Sequence, residues 1–219
     1  RPSATYPGRW AILGLLAGAL GISRRDEAQQ FSLRQAVEVA VKQHSPGALV
    51  RDYHTTQVPG RTAAKGVRSR RDELAVRKDR LNTILSTREY RCDGYWTVAI
   101  RLADSSPWTL ACFETALRRP GFIPFLGRKS CPLAAPLDPR IVTAAGVREA
   151  LSIGFPSFTG LKQDDERRRM RLGGEVLYAW EGESGDIDSR ELNHRHDQPL
   201  NRGRWQVTSR PENRHRTRE

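Results

Sequence analysis

The chain has 219 residues, with 37 Lys and Arg against 25 Asp and Glu, for a formal net charge of +12. That length buries a real core in one domain or two small ones, and the cationic excess points to a polyanion, most simply nucleic acid, with an anionic membrane surface as the rival. Three widely spaced cysteines, Cys92, Cys112 and Cys131, argue against a disulfide framework and a zinc site; they fit a reducing, cytoplasmic setting, and one or more reads as a buried apolar residue.

The chain opens at Arg1-Pro2 without Met, so an upstream segment is expected. Pro7-Gly8 precede a helical pattern over residues 9–22. Its apolar run is shorter than the ~20 residues needed to cross a bilayer, and Arg24, Arg25 and Asp26 follow at once. It reads as a buried helix rather than a signal segment. Gly14, Gly18 and Gly21 lie near one face, inviting close backbone approach, and the helix start beside Arg9 is a ready anion site.

A polar helix is expected over 26–34. Val37, Val39 and Val41 alternate with Glu38, Ala40 and Lys42, the pattern of a strand with one buried face. His44-Ser45-Pro46-Gly47 is turn chemistry, and a second strand covers 48–54. A third runs over 90–102, with Trp96, Val98, Ile100 and Leu102 on one face. Between them lies a polar insertion, 55–87, carrying Arg61, Lys65, Arg68, Arg70, Arg71, Arg77, Lys78 and Arg80. A structureless loop of that length is uncommon inside a compact domain. It reads as a basic arm or hairpin that orders on RNA, or as a solvated loop.

Ser105-Ser106-Pro107 caps a helix over 108–119, which Pro120-Gly121 ends, and a further strand is expected over 122–126. Helix, strand, strand, helix, strand lacks only a leading strand, expected upstream, to make a βαββαβ unit. The stretch Phe125-Leu126-Gly127-Arg128-Lys129-Ser130-Cys131-Pro132 then sets two cations and a hydroxyl directly after a glycine. Glycine lets backbone amides turn toward an anion; Arg128 offers a planar fork, Lys129 a point charge and Ser130 a short donor. Phe125 adds a face for a base. The same octapeptide also reads as a solvated turn. After Pro136 the composition changes: a short helix near 142–151, a basic cluster over 167–171, a strand over 175–180, and a last strand over 205–208. A basic tail follows, with Arg210, Arg214, Arg216 and Arg218. This suggests a smaller β-rich subdomain, 137–219, with a partly disordered end.

Four blocks resemble a known family. They are Arg1-Pro2 through Tyr6-Pro7-Gly8-Arg9 to Leu20-Gly21-Ile22; Val50-Arg51-Asp52-Tyr53-His54-Thr55; Thr87-Arg88-Glu89-Tyr90-Arg91-Cys92-Asp93; and the Gly127 octapeptide with Pro124 before it. In this order they resemble the CasD-type subunits of the type I-E CRISPR complex Cascade, the Cas family-five branch of the RAMP superfamily. The final third matches through little more than Arg204-Trp205-Gln206-Val207. Trp10 stands where relatives often carry a small hydroxyl residue, and Phe125 where Tyr is common.

The resemblance implies an α+β fold. Residues 1–136 would form a ferredoxin-like, RNA-recognition-motif-type RAMP domain lacking its first strand, with a thumb at 55–87. It implies a non-catalytic, crRNA-binding subunit that caps the Cascade backbone and holds the crRNA 5′ handle in antiviral defence. The implied partners are that handle, the backbone subunit CasC and the large subunit CasA, with target DNA near the PAM as a further candidate. No membrane, cofactor or metal is expected. Arg9, Arg51, Arg128 and Lys129 are expected on phosphates, Tyr53, Tyr90 and Phe125 on bases, and His54 as a further RNA contact. Gly127 and Ser130 would shape the loop, and Lys65, Arg68, Arg70 and Arg71 would line the thumb. By family analogy Arg88 sits at the thumb's base, where it wedges between handle and guide. The rival is a metal-independent endoribonuclease processing CRISPR repeat RNA, with His54 as general base beside Tyr53 or Lys129. His194-Arg195-His196-Asp197 looks metal-like but lacks a second ligand cluster and reads as a solvated loop.

Overall fold

The computed structural model describes residues 3–157, 159–201, 204 and 206–219. Arg1-Pro2 of the first matching block and Trp205 of the last expected strand lie outside the described residues. The helices are α1 (Arg9–Ala19), α2 (Glu27–Ala36), α3 (Arg70–Ala75), α4 (Leu110–Arg118), α5 (Val147–Leu151) and α6 (Gln163–Arg169). The strands are β1 (Val37–Ser45), β2 (Ala48–Pro59), β3 (Leu81–Cys92), β4 (Tyr95–Leu102), β5 (Glu175–Trp180), β6 (Glu191–Asn201) and β7 (Gln206–Arg218). They fall into two compact units, one built from Ala48–Cys92 and the other from Ala4–Gly47 with Asp93–Glu219.

In the larger unit five strands form one sheet in the order β4-β1-β5-β7-β6, with antiparallel neighbours throughout. The valine alternation of β1 is realised: Val37, Val39 and Val41 join Ile12, Leu13 and Leu16 of α1, Leu33 of α2 and Phe113 of α4 in the main core. The other face of β1 is covered as well. Ala40 packs with Tyr178 and Trp180 of β5 and with Leu151 and Ile187 in a second cluster. Lys42 is buried at 4 % exposure and donates to Glu219 Oε2 at 2.5 Å. The expectation of a single buried face missed this cover because it comes from residues more than a hundred positions later.

α1 is shorter than its apolar run. Gly21 adopts φ 73, its N–H reaches Gly18 O, and the Ile22 N–H donates to Ala17 O at 2.8 Å, which closes the helix in a Schellman turn. Close approach to the glycines occurs at this end: a Cβ on Gly121 would sit 3.0 Å from Gly21 Cα, while one on Gly18 would meet nothing within 4 Å. α6 ends by the same hydrogen bonds, Leu172 N–H to Arg167 O at 2.8 Å and Arg171 N–H to Arg168 O at 3.2 Å. There the left-handed position, φ 55, is held by Arg171. A side chain in that conformation costs roughly 1–2 kcal/mol relative to glycine.

Several expected elements shift. α4 is capped by Thr109, whose hydroxyl accepts from the Cys112 amide, while Ser106 only braces Trp108. No strand forms over 122–126 among the described residues; Phe125 makes one bridge to Pro132. The expected tail is β7, whose arginines find carboxylates: Arg210 pairs with Asp197, Arg214 with Glu212 and Arg216 with Glu175. β5 and β7 therefore extend the sheet begun by β1 and β4, across the 136/137 boundary read from the sequence.

The smaller unit is a two-stranded antiparallel ribbon. β2 and β3 pair without a slip from Ala48↔Cys92 to Pro59↔Leu81. Most of the polar insertion is thus strand, and α3, capped by a Ser69–Asp72 capping box, lies in its far connection. The single strand expected over 90–102 is split at Asp93-Gly94, where Asp93 turns left-handed at φ 56.

Candidate nucleic-acid interface

Arg9 is the most buried of the expected phosphate ligands, at 5 % exposure. Its guanidinium pairs with Glu181 and donates to Arg34 O at 2.7 Å, and its backbone amide donates to Asp197 Oδ2 at 2.9 Å. The anion site at the start of α1 is real but occupied from within. Around it Arg210 reaches Asp197 at 2.7 Å, Glu212 at 2.8 Å and Glu181 at 3.2 Å. Tyr6 donates to Glu212 at 2.5 Å, and its ring lies under Arg195, 4.4 Å from the guanidinium carbon. Burial, reinforced by the Glu212 carboxylate, pushes the Tyr6 phenol up to about 12. Arg9 is therefore a structural tie, a correction that follows from acids over 170 positions away in sequence.

The ribbon carries five expected contacts, and strand alternation sorts them. Arg51 and Tyr53 share one face with their cross-strand partners Glu89 and Thr87; His54, Arg88 and Tyr90 lie on the other, opposite Ser86, Asp52 and Val50. Tyr53 is 63 % exposed and Arg88 is exposed, whereas Tyr90 is half-buried. Arg51 lies 3.3 Å from Glu89. His54 Nε2 is bonded to Asp52, and Tyr53, its chain neighbour, projects the opposite way. The two cannot converge on one phosphate.

In the far connection Lys65, Arg68, Arg70 and Arg71 are all exposed. Arg70 is engaged by Glu73 at 2.5 Å and Arg77 by Asp79 at 3.2 Å. Among the described residues no carboxylate pairs with the side chains of Arg61, Lys65, Arg68, Arg71, Lys78 or Arg80. A narrow ribbon ending in unpaired cations is an electrostatic footprint for a phosphate backbone.

The Gly127 loop, in the larger unit, is a tight closed turn. Leu126 N–H donates to Cys131 O and Cys131 N–H to Arg128 O, both at 2.9 Å. Gly127 takes φ 77, and a Cβ there would lie 3.3 Å from Ala11 Cβ, so the glycine serves both the turn and its seat on α1. Lys129 and Ser130 are exposed, and Arg128 and Phe125 half-buried. The amides of Lys129 and Ser130 donate to no acceptor among the described residues. Two free amides and two cations on one turn can receive a phosphate.

Elsewhere His194 and His196 project from β6, a strand where a loop was expected. Among the described residues no group of three or more His, Cys, Asp or Glu side chains could hold a metal ion. Also among them, no helix is long and apolar enough to cross a membrane. Cys92 and Cys112 are exposed and Cys131 half-buried, so none is the core residue anticipated.

Comparison with known proteins bears on the whole chain. The family model described as CRISPR-associated protein (Cas_Cas5) matches residues 1–215. The Escherichia coli (strain K12) protein named CRISPR system Cascade subunit CasD is 33% identical over 159 residues, 69% of this chain. That match spans 66% of the relative, just under two thirds of its length. A solved chain described as "CRISPR RNA-guided surveillance complex" superposes with a TM-score of 0.63 at 22% identity, over 100% of this chain and 80% of that one. Another, "Crystal structure of Cas protein", gives 0.52 at 22% identity, over 100% and 83%. The two structures establish a shared α+β fold.

Proposed function

The chain belongs to the CRISPR-associated Cas5 family, and on that premise we propose that it is a non-catalytic, crRNA-binding subunit of a type I-E Cascade. In this reading it caps the complex's backbone and holds the crRNA 5′ handle, working in the cytoplasm beside the subunits CasC and CasA and near target DNA at the PAM. Residues 1–136 form the RAMP part, with 55–87 as its thumb, and 137–219 form the C-terminal part.

The observation that carries the reading is the β2–β3 ribbon. A two-stranded hairpin is marginal alone, and this one keeps Tyr53 at 63 %, Ile84 at 50 % and Leu85 at 59 % exposure. Among the described residues the side chains of Arg61, Lys65, Arg68, Arg71, Lys78 and Arg80 lack carboxylate partners, so an RNA strand would supply both the missing charge and cover for the aromatic face. The Gly127 loop adds a second phosphate receptor with free amides. No catalytic step is assigned: the Asp52-bound His54 and the oppositely facing Tyr53 do not form an acid–base pair.

The test is to incubate the full chain with repeat-derived RNA bearing the 5′ handle, in EDTA. The expected result is a stable complex with intact RNA. Site-specific cleavage that His54→Ala abolishes would overturn the non-catalytic reading, and absence of any handle complex would overturn RNA binding.

A further inference from the structure

One basic surface is used neither by the ribbon nor by the Gly127 loop. α6 opens on Asp164, Asp165 and Glu166 and closes on Arg167, Arg168 and Arg169, with Arg171 just beyond. The acids do not neutralise the arginines. Glu166 is 8 % exposed and takes the Thr159 amide and hydroxyl, the latter at 3.0 Å. Asp165 reaches Arg168 only at 4.0 Å, and that arginine side chain remains 81% exposed. Arg167, Arg169 and Arg171 are exposed and meet no carboxylate among the described residues.

The backbone sharpens this. α1 and α6 end in the same Schellman turn, with Gly21 at the left-handed position in one and Arg171 in the other. Gly173 and Gly174 follow at once, with φ 104 and 113, so left-handed glycines lie within three positions of the place where one is lacking. A cation placed against local preference, beside the unpaired Arg167 and Arg169 and the loosely paired Arg168, points to a site kept for its charge. A helix C-terminus favours cations through its dipole, but that does not account for Arg171, which lies past the helix. The patch lies in the larger unit, where β1 finishes and β4 starts: the Arg167 charge acts on His44 of β1, and Glu166 acts on Tyr95 of β4.

We propose that Arg167, Arg168, Arg169 and Arg171 form a second phosphate-backbone contact for nucleic acid, read by charge rather than by base sequence. Guanidinium forks on successive positions suit non-bridging phosphate oxygens, and among the described residues the patch offers no exposed aromatic residue for stacking. RNA and DNA backbones share this chemistry.

The test uses the full chain, with fluorescence anisotropy of two labelled probes lacking the handle sequence, a single-stranded RNA and a duplex DNA of 20 positions, across a NaCl series. The probes separate this contact from handle recognition, and an Arg128→Ala/Lys129→Ala chain serves as the control. Arg168→Gln/Arg169→Gln should reduce the salt slope by about 1.4 on the RNA or about 1.8 on the duplex, from ~0.7 and ~0.9 per phosphate. The probe that responds identifies the strand. Arg171→Gly should weaken binding of that probe while melting at or above the parent temperature. Unchanged slopes on both probes would overturn the proposal. So would an Arg171→Gly chain that melts below the parent, because Arg171 would then be held for packing rather than charge.

Discussion

The Arg9 amide donates to the Asp197 carboxylate at 2.9 Å, joining the first turn of α1 to β6 across 188 positions of sequence. The same carboxylate takes Arg210 at 2.7 Å and Arg195 at 3.4 Å, so a half-buried anion sits among two guanidiniums and a helix start. Asp197→Ala should destabilise the chain by about 1–3 kcal/mol, because it removes the acceptor of the Arg9 amide and one of the carboxylates that hold Arg210 and Arg195. Asp197→Asn, which retains an acceptor, should cost less. Urea denaturation of the two variants checks the order, and equal losses would assign the whole effect to the charge and none to the retained acceptor.

Tyr53 is 63 % exposed and borders Arg51 on one ribbon face. Replacing it by Ala should leave the melting temperature within a degree or two of the parent and weaken handle RNA by about 1–3 kcal/mol. Titration of labelled handle RNA measures this. An affinity unchanged within error would mean that no base stacks there.

Arg128 and Lys129 sit on the turn closed by Leu126 and Cys131. The double substitution to Ala should lower the salt slope for single-stranded handle RNA by about 1.4. Gly127→Ala acts differently: φ 77 and the 3.3 Å approach to Ala11 make it a structural lesion. It should lower the melting temperature, which Lys129→Ala alone should not.

His44 bonds Thr97 Oγ1 at 2.9 Å, and burial, followed by the nearby Lys42 charge, pulls its pKa down to about 4. The folded value lies below the ordinary 6.5, so the neutral imidazole contributes stability that is complete above about 6.5 and is lost as pH falls toward 4. The urea midpoint of the parent should fall across that window, and that of His44→Gln should fall less. Parallel curves would exclude His44 as the titrating group.

Local periodicity made much of the fold legible. Val37, Val39 and Val41 identify β1, and the apolar pattern identifies α1, although it runs the helix to residue 22 and so past the actual stop at Gly21. The ribbon was harder. Its strands are polar on both faces, because no core lies beneath them, so the usual apolar alternation is missing from residues 55–87. The cap of α4 was misplaced because Ser106 and Thr109 both offer hydroxyls and only Thr109 reaches the Cys112 amide. Among site residues the exposed positions of Tyr53, Arg88 and Lys129 fit what their residue types suggest. Arg9 does not, since its partners Glu181 and Asp197 lie on the far side of the sequence and no local signal announces them.

The sheet order has a consequence for how the molecule is made. β1 emerges early, yet its neighbour β5 and the next strand, β7, come from residues 175–218. Until residues 175–219 exist, Arg9 has no Glu181, Lys42 has no Glu219, and the second face of β1 lacks Tyr178 and Trp180. Non-local closure of this kind is slow and leaves apolar surface uncovered meanwhile. A nascent chain halted near residue 170 would hold an unfinished sheet, a natural client for chaperones and proteases, and the core can close only when its latest-made strands arrive.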